Sequence, residues 1–193
     1  VKIKDKTVSA MCFRQTLSDL DIYPGDIVDI MFGLDINEFQ NQRNLQLIVK
    51  DVRLTESQFE HENAERTLFA NIKAGMSPCE LGLDENMSAS LIPTHNEFGA
   101  VYNVLKRELR VEHEVFSMRA LLNFLKSVGV SVGYVKLKII LMTFSELNIL
   151  GVNELDAERE IYAFRYIYLK AKTNLEKSNI YRNFKSNFQR RTQ

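Results

Sequence analysis

Histidine and cysteine are scarce in this chain of 193 residues, with three of the first and two of the second. Metal centres and nucleophilic sites draw heavily on these side chains, so the scarcity narrows the chemistry the chain can carry by itself. Cys12 and Cys79 have no metal-like spacing and read as reduced thiols of a cytosolic protein, not as a disulfide. Net charge is missing too, since 25 Lys and Arg balance 25 Asp and Glu. Overall charge therefore gives no reason for nucleic-acid or membrane binding, and any such site must be local. No apolar run approaches the roughly 20 residues that span a bilayer, and no signal-peptide pattern opens the sequence. The expectation is a cytoplasmic chain with no membrane partner. It opens on Val1, not Met, which reads as a trimmed piece of a longer protein.

Catalytic signatures are absent as well. No GxGxxG, GxxxxGK[ST] or GxSxG occurs. His61-Glu62 and His113-Glu114 each lack the second histidine at i+4 that a zinc-protease helix needs, and His95 falls in a helix first turn. Asp19, Asp21, Asp26 and Asp29 form an acidic stretch without Ca²⁺-loop spacing, so they read as solvated turn carboxylates. No nucleophile–base pair stands out, and the chain alone reads as non-catalytic, with no metal or cofactor of its own.

The composition that remains, 45% hydrophobic and 26% charged, is that of an ordinary globular protein. Residues 1–54 are strand-like. VKIK, the turn Lys4-Asp5-Lys6 and TVSAMCF read as a hairpin. After the turn Tyr23-Pro24-Gly25-Asp26, the apolar residues Val28, Ile30, Phe32, Leu34 and Ile36 alternate with Asp29, Met31, Gly33, Asp35 and Asn37, predicting a long half-buried strand. A polar turn leads to a second alternating strand with Leu45, Leu47 and Val49 on one face and Gln46, Ile48 and Lys50 on the other. Strands without helix crossovers predict an antiparallel sheet or part of a small barrel.

The period changes at Thr55-Glu56-Ser57-Gln58, a capping-box pattern that opens a helix ending at Gly75. Residues 76–92 lack periodicity and read as a linker, so 55–92 is expected to connect two domains. Residues 93–193 carry three more helices. The first is capped by Thr94-His95-Asn96-Glu97, the second by Ser117, and the third by Ser131, running to Gly151. A hairpin follows, with strands near 152–155 and 161–169, giving the element order of a winged helix. The tail places Tyr181, Phe184 and Phe188 at helical spacing between Lys177, Arg182, Lys185, Arg190 and Arg191. The fold class read from the sequence is α+β: a partial antiparallel β-barrel followed by a helical, winged-helix-like domain.

Single-strand binding needs cations that track phosphates and aromatics that stack bases. In the first domain Lys2, Lys4, Arg14, Arg43, Lys50 and Arg53 supply cations. Phe13, Phe32 and Phe39 can supply stacking, Phe32 reading as core and Phe39 as the more interesting candidate, in a polar turn. In the second domain the third helix, VGYVKLKIILMTFSELNIL, is too apolar for a groove-reading helix and reads as core or protein interface. The tail aromatics likewise read as the packed face of an amphipathic helix.

The segment VKIKDKTVSAMCF followed by PGDIVDIMFGLDINEFQNQRNLQLIVKDVR resembles the OB-fold domain of RecJ-type single-strand-specific exonucleases. The resemblance rests on the alternating run 28–36, Asn37, Leu45-Gln46-Leu47, Asp51 and Arg53. Looser stretches are similar to the region that follows this domain in RecJ proteins of the Bacillus and Clostridium type. They are Pro93-Thr94 with Glu97-Phe98 and Val101-Tyr102, residues 144–147, and residues 174–178 with Tyr181. The resemblance implies a parent enzyme that degrades single-stranded DNA from the 5′ end, with Mn²⁺ or Mg²⁺ held by catalytic domains that this sequence does not contain. The leading expectation is a non-catalytic C-terminal part that guides single-stranded DNA, its phosphates meeting Lys2, Lys4, Arg14, Arg43, Lys50 and Arg53 and a base stacking on Phe39. The alternative is a module that docks single-strand-binding protein or another repair factor.

Overall fold

The computed structural model describes residues 1–16, 19–39, 42–109, 114–169 and 173–189, the side chains of Phe39, Glu114 and Gln189 excepted. It divides into two compact units, Val1–His61 and Glu62–Gln193. The first unit holds β1 (Lys2–Ile3), β2 (Lys6–Thr7), β3 (Ala10–Met11), β4 (Val28–Phe39) and β5 (Gln42–Leu54). The division falls inside α1 (Glu56–Lys73).

In the first unit β1 and β2 form a minimal two-stranded hairpin, and β3, β5 and β4 form an open sheet in that order. The expected antiparallel pairing holds for β4 and β5, but β3 runs parallel to β5, with Ala10 opposite Leu47. The barrel is not closed. Its ladder contains a device that the clean alternation of residues 45–50 conceals. Phe32 pairs with Val49, but Met31 pairs with Asp51, so Lys50 is the extra residue of a bulge. Without it, a strict period of two would carry Asp51 and Arg53 onto the same face as Leu45, Leu47 and Val49. The bulge moves Val52 and Leu54 to that face, opposite Ile30 and Val28. The result is one apolar face along the whole hairpin. That face is poorly covered: Leu47 is 4% exposed, but its partner Leu34 is 66% exposed and Ile36 59%. Phe32, expected in a core, is 43% exposed.

Helix α1 begins where β5 ends. Thr55 Oγ1 accepts the Gln58 amide at 3.4 Å, half of the expected capping box. The other half is diverted, because the Gln58 side chain accepts from the Ile27 amide (2.7 Å) and donates to Asp26 (3.2 Å). The Thr55 amide itself donates to the Ile27 carbonyl. Gly75, at φ +94°, closes the helix as expected, since a left-handed residue after the last turn favours glycine.

The second unit continues with α2 (Glu85–Ser90), α3 (His95–Glu108), β6 (Glu114–Ser117), α4 (Met118–Ser127), α5 (Tyr134–Glu146), β7 (Leu150–Asp156), β8 (Ile161–Tyr166), a 3₁₀ turn (Leu175–Lys177) and α6 (Asn179–Gln189). From α3 onward, helix–strand–helix–helix–hairpin is the winged-helix-like order. The strand β6, which sequence periodicity misses because it is only four residues long, completes an antiparallel sheet ordered β6-β8-β7. Thr94 and Glu97 form the full capping box of α3, and Ser117 caps α4 through the Ala120 amide at 3.1 Å. Two sequence expectations change. Helix α5 starts after Gly133, not at Ser131, with no side-chain cap. It also ends at Glu146, so Gly151 lies inside β7 and does not terminate the helix.

The core sits in this unit, where Phe98, Leu105, Leu125, Leu137, Ile140 and Phe144 are almost fully buried. The stretch read as a linker supplies Leu81, Leu83, Leu91 and Ile92 to the flank of that core, together with Phe69 and Ile72 from α1. Apolar side chains at 81, 83, 91 and 92 explain the placement: a solvated spacer would leave them in water.

Candidate nucleic-acid interface

Lys2 lies in β1 and Lys4 in the turn to β2, both exposed. Arg14 follows β3 and is also exposed. None of these three, nor Lys6, has an ion-pair partner among the described residues. The β5 cations are placed differently. Arg43 Nε meets Glu38 Oε1 at 2.5 Å, and Arg53 Nε lies 3.8 Å from Asp29 Oδ2. Both pairs are solvent-exposed, so they contribute little stability, but each holds a cation against a β4 carboxylate. Lys50, the bulge residue, reaches over Gly33 and is exposed. Phe39 ends β4, and its side chain lies outside the described residues.

The topology brings out a charge pattern that a linear reading of the seven candidate residues misses. Residues 1–16 carry Lys2, Lys4, Lys6 and Arg14 against Asp5 alone. Residues 19–39 carry Asp19, Asp21, Asp26, Asp29, Asp35 and Glu38 with no Lys or Arg. The order β3-β5-β4 puts the end of the basic segment on one side of β5 and the acidic strand on the other. Two inter-strand steps separate the edges by about 10 Å. That is comparable to the Debye length of about 8 Å at physiological salt. At that separation the β4 carboxylates are partly screened from groups at the β3 edge.

The acidic stretch is built as turns. The Asp19 carboxylate accepts from the Thr16 amide and hydroxyl, both at 2.8 Å, and these bonds hold it below the usual carboxylate range. Asp26 accepts from the Tyr23 amide at 2.8 Å. Among the described residues no three His, Cys, Asp or Glu side chains group as a metal site requires.

Helix α5, the position of a groove-reading helix, is spent on the interior. Tyr134, Val135, Leu137, Ile139, Ile140, Leu141, Thr143 and Phe144 are buried, as a helix apolar on nearly all sides must be. Its two cations are paired inside the unit: Lys136 with Glu97 and Lys138 with Glu160, each at 2.6 Å. Lys138 also lies 5.0–5.6 Å from the ring centres of Phe69, Tyr134 and Tyr162, a cation–π enclosure. Glu160 sits at the end of the β7–β8 turn with φ +52° and is buried. It accepts from the Tyr134 hydroxyl at 2.5 Å and lies 3.0 Å from Arg66 Nε. Burial first, and then the carboxylate partner, push the Tyr134 and Tyr162 hydroxyls far above the ordinary tyrosine range. The hairpin turn is thus bolted to α1 and α5.

The tail helix behaves as its spacing predicts. Tyr181 and Phe188 are buried and Phe184 half-buried, and Lys185 pairs with Glu176 at 2.7 Å. Arg190 and Arg191 lie outside the described residues. Glu146, at the end of α5, anchors the tail helix. Its carboxylate accepts from the Ser178 hydroxyl (2.5 Å) and the Asn179 and Ile180 amides (3.0 and 3.2 Å) at the start of α6.

The first unit is, by geometry, an open OB-like sheet preceded by a basic N-terminal segment. Residues 1–51 match the family model described as the RecJ OB domain. The segment is therefore similar to the RecJ OB domain, in line with its resemblance. No curated protein and no solved structure matches the chain. No described helix is long and apolar enough to cross a membrane.

Proposed function

We propose that this chain is the non-catalytic C-terminal part of a cytoplasmic 5′-3′ single-strand-specific DNA exonuclease of recombination and repair, of the Bacillus and Clostridium type. Its first unit holds single-stranded DNA for chemistry done by a catalytic domain that uses Mn²⁺ or Mg²⁺. The observation that carries this reading is the RecJ OB match over residues 1–51, and the segregated charge of the sheet supports it. In a fluorescence-anisotropy titration with a labelled single-stranded oligonucleotide, affinity falls steeply with salt, because bound cations displace condensed counterions. Arg43→Ala plus Lys50→Ala weakens binding further. Absence of binding at low salt contradicts the proposal.

The second reading, docking of single-strand-binding protein or another repair factor, draws on one feature of the second unit. A cleft of about 730 Å³ beside α3 is lined by Tyr102, Phe144, Ile149, Leu169 and Leu175, among others. A pull-down that returns no such partner contradicts it.

A further inference from the structure

The seven sequence candidates place the stacking aromatic at the hairpin tip, beside Arg43. The structure shows Arg43 held by Glu38, at the end of the acidic β4 strand. We propose instead that a base of the bound strand stacks on Phe13, with the neighbouring phosphate on Arg14, so that the strand enters along the β3 edge. This rests on the single-strand-binding reading above and adds the place of contact.

Three observations carry it. First, Phe13 is 63% exposed shortly after β3. An aromatic ring left in water, beside a cation, is the pairing that a base and its phosphate recognise. Second, Arg14 has φ +64° and Lys4 φ +53°. Left-handed backbone disfavours long side chains and is usually given to Gly, Asn or Asp. Here two of the four cations of residues 1–16 occupy it, and neither is paired among the described residues. Strain kept at exposed, unpaired cations marks a place where charge matters more than local stability. Third, β3 borders β5 on the side opposite β4, so Phe13 and Arg14, which directly follow β3, leave the sheet from the edge away from the β4 strand.

The chain has no tryptophan, so Phe13→Trp creates a single reporter at the proposed contact. Titrating that variant with an unlabelled single-stranded oligonucleotide quenches the fluorescence of the introduced indole along the same isotherm as anisotropy measured with labelled DNA. Phe59→Trp, at another exposed aromatic of the unit, shows no such quench. Phe13→Ala weakens binding roughly ten- to hundredfold, the effect of one lost base stack. Phe13→Trp keeps the ring and binds as the wild type does. Arg14→Gly relieves the backbone, so its melting temperature is unchanged or higher while its binding is weaker, which a merely structural arginine does not produce. Wild-type binding with no quench in the Phe13→Trp variant and no effect of Phe13→Ala overturns this placement and leaves the binding function standing. No wild-type binding at all overturns both.

Discussion

The two units divide apolar surface and charge in opposite ways. In Val1–His61 only Ile22 and Leu47 are buried apolar residues among those described, whereas in Glu62–Gln193 there are 23. The first unit leaves its apolar hairpin face, an aromatic ring and the four cations of residues 1–16 open. The second pairs the cations of its central helix, Lys136 and Lys138, and rings the latter with aromatics. Open cations beside an open ring can recognise an outside ligand, while paired and enclosed ones have already spent their interactions on the fold. A winged-helix-like order alone therefore does not make the second unit a reader of DNA.

This contrast is open to attack by mutation. The largest effect is expected at the buried ion cluster. Lys138→Ala leaves the buried Glu160 with Arg66 as its remaining cation, and losing one partner of such a pair costs about 3–5 kcal/mol, read as a fall in the denaturation midpoint. Lys138→Ala together with Glu160→Gln recovers part of that loss. Next comes Leu105→Ala in the centre of the second unit, where full burial predicts about 2–5 kcal/mol. Leu34→Ala on the open hairpin face changes stability by less than about 0.5 kcal/mol in the same urea titration. Equal losses at Leu105 and Leu34 would erase the distinction between the units.

A smaller effect depends on pH. The Ser178 hydroxyl and then the backbone amides of α6 hold the Glu146 carboxyl below its ordinary value. The folded state then binds its proton less readily than the unfolded chain does. Its contribution is present above the unfolded value and is lost as pH falls through the depressed folded one. Glu146→Ala should therefore lower stability at pH 7 and converge on the wild type in acid, below the usual carboxylate range. A gap that stays constant from neutral pH into strong acid contradicts the capping role.

Much of the architecture is legible in the sequence because local rules and tertiary packing agree. Thr94, Ser117, Gly75 and the 3–4 spacing of Tyr181, Phe184 and Phe188 mark element ends and faces that the structure keeps. The failures have physical causes. Periodicity cannot detect β6, whose four residues are set by pairing with β8. Residues 76–92 read as a linker because irregular backbone carries no period, although its scattered leucines seek the core. Phe32 reads as buried because alternation reports which face a side chain occupies and not whether anything covers that face. The site is legible only as residue types. Lys2, Lys4, Arg14, Arg43, Lys50 and Arg53 are all exposed, but only the folded pairing shows that Arg43 and Arg53 are tied to β4 carboxylates.

Ultraviolet cross-linking of the full chain to a single-stranded oligonucleotide, with the attached peptides mapped by mass spectrometry, compares the units within one sample. Cross-links concentrated in residues 1–16 and β5, lost at high salt and absent from α5 and the β7–β8 turn, are the predicted result. Cross-links confined to α5 or that turn, with none in the first unit, would contradict it.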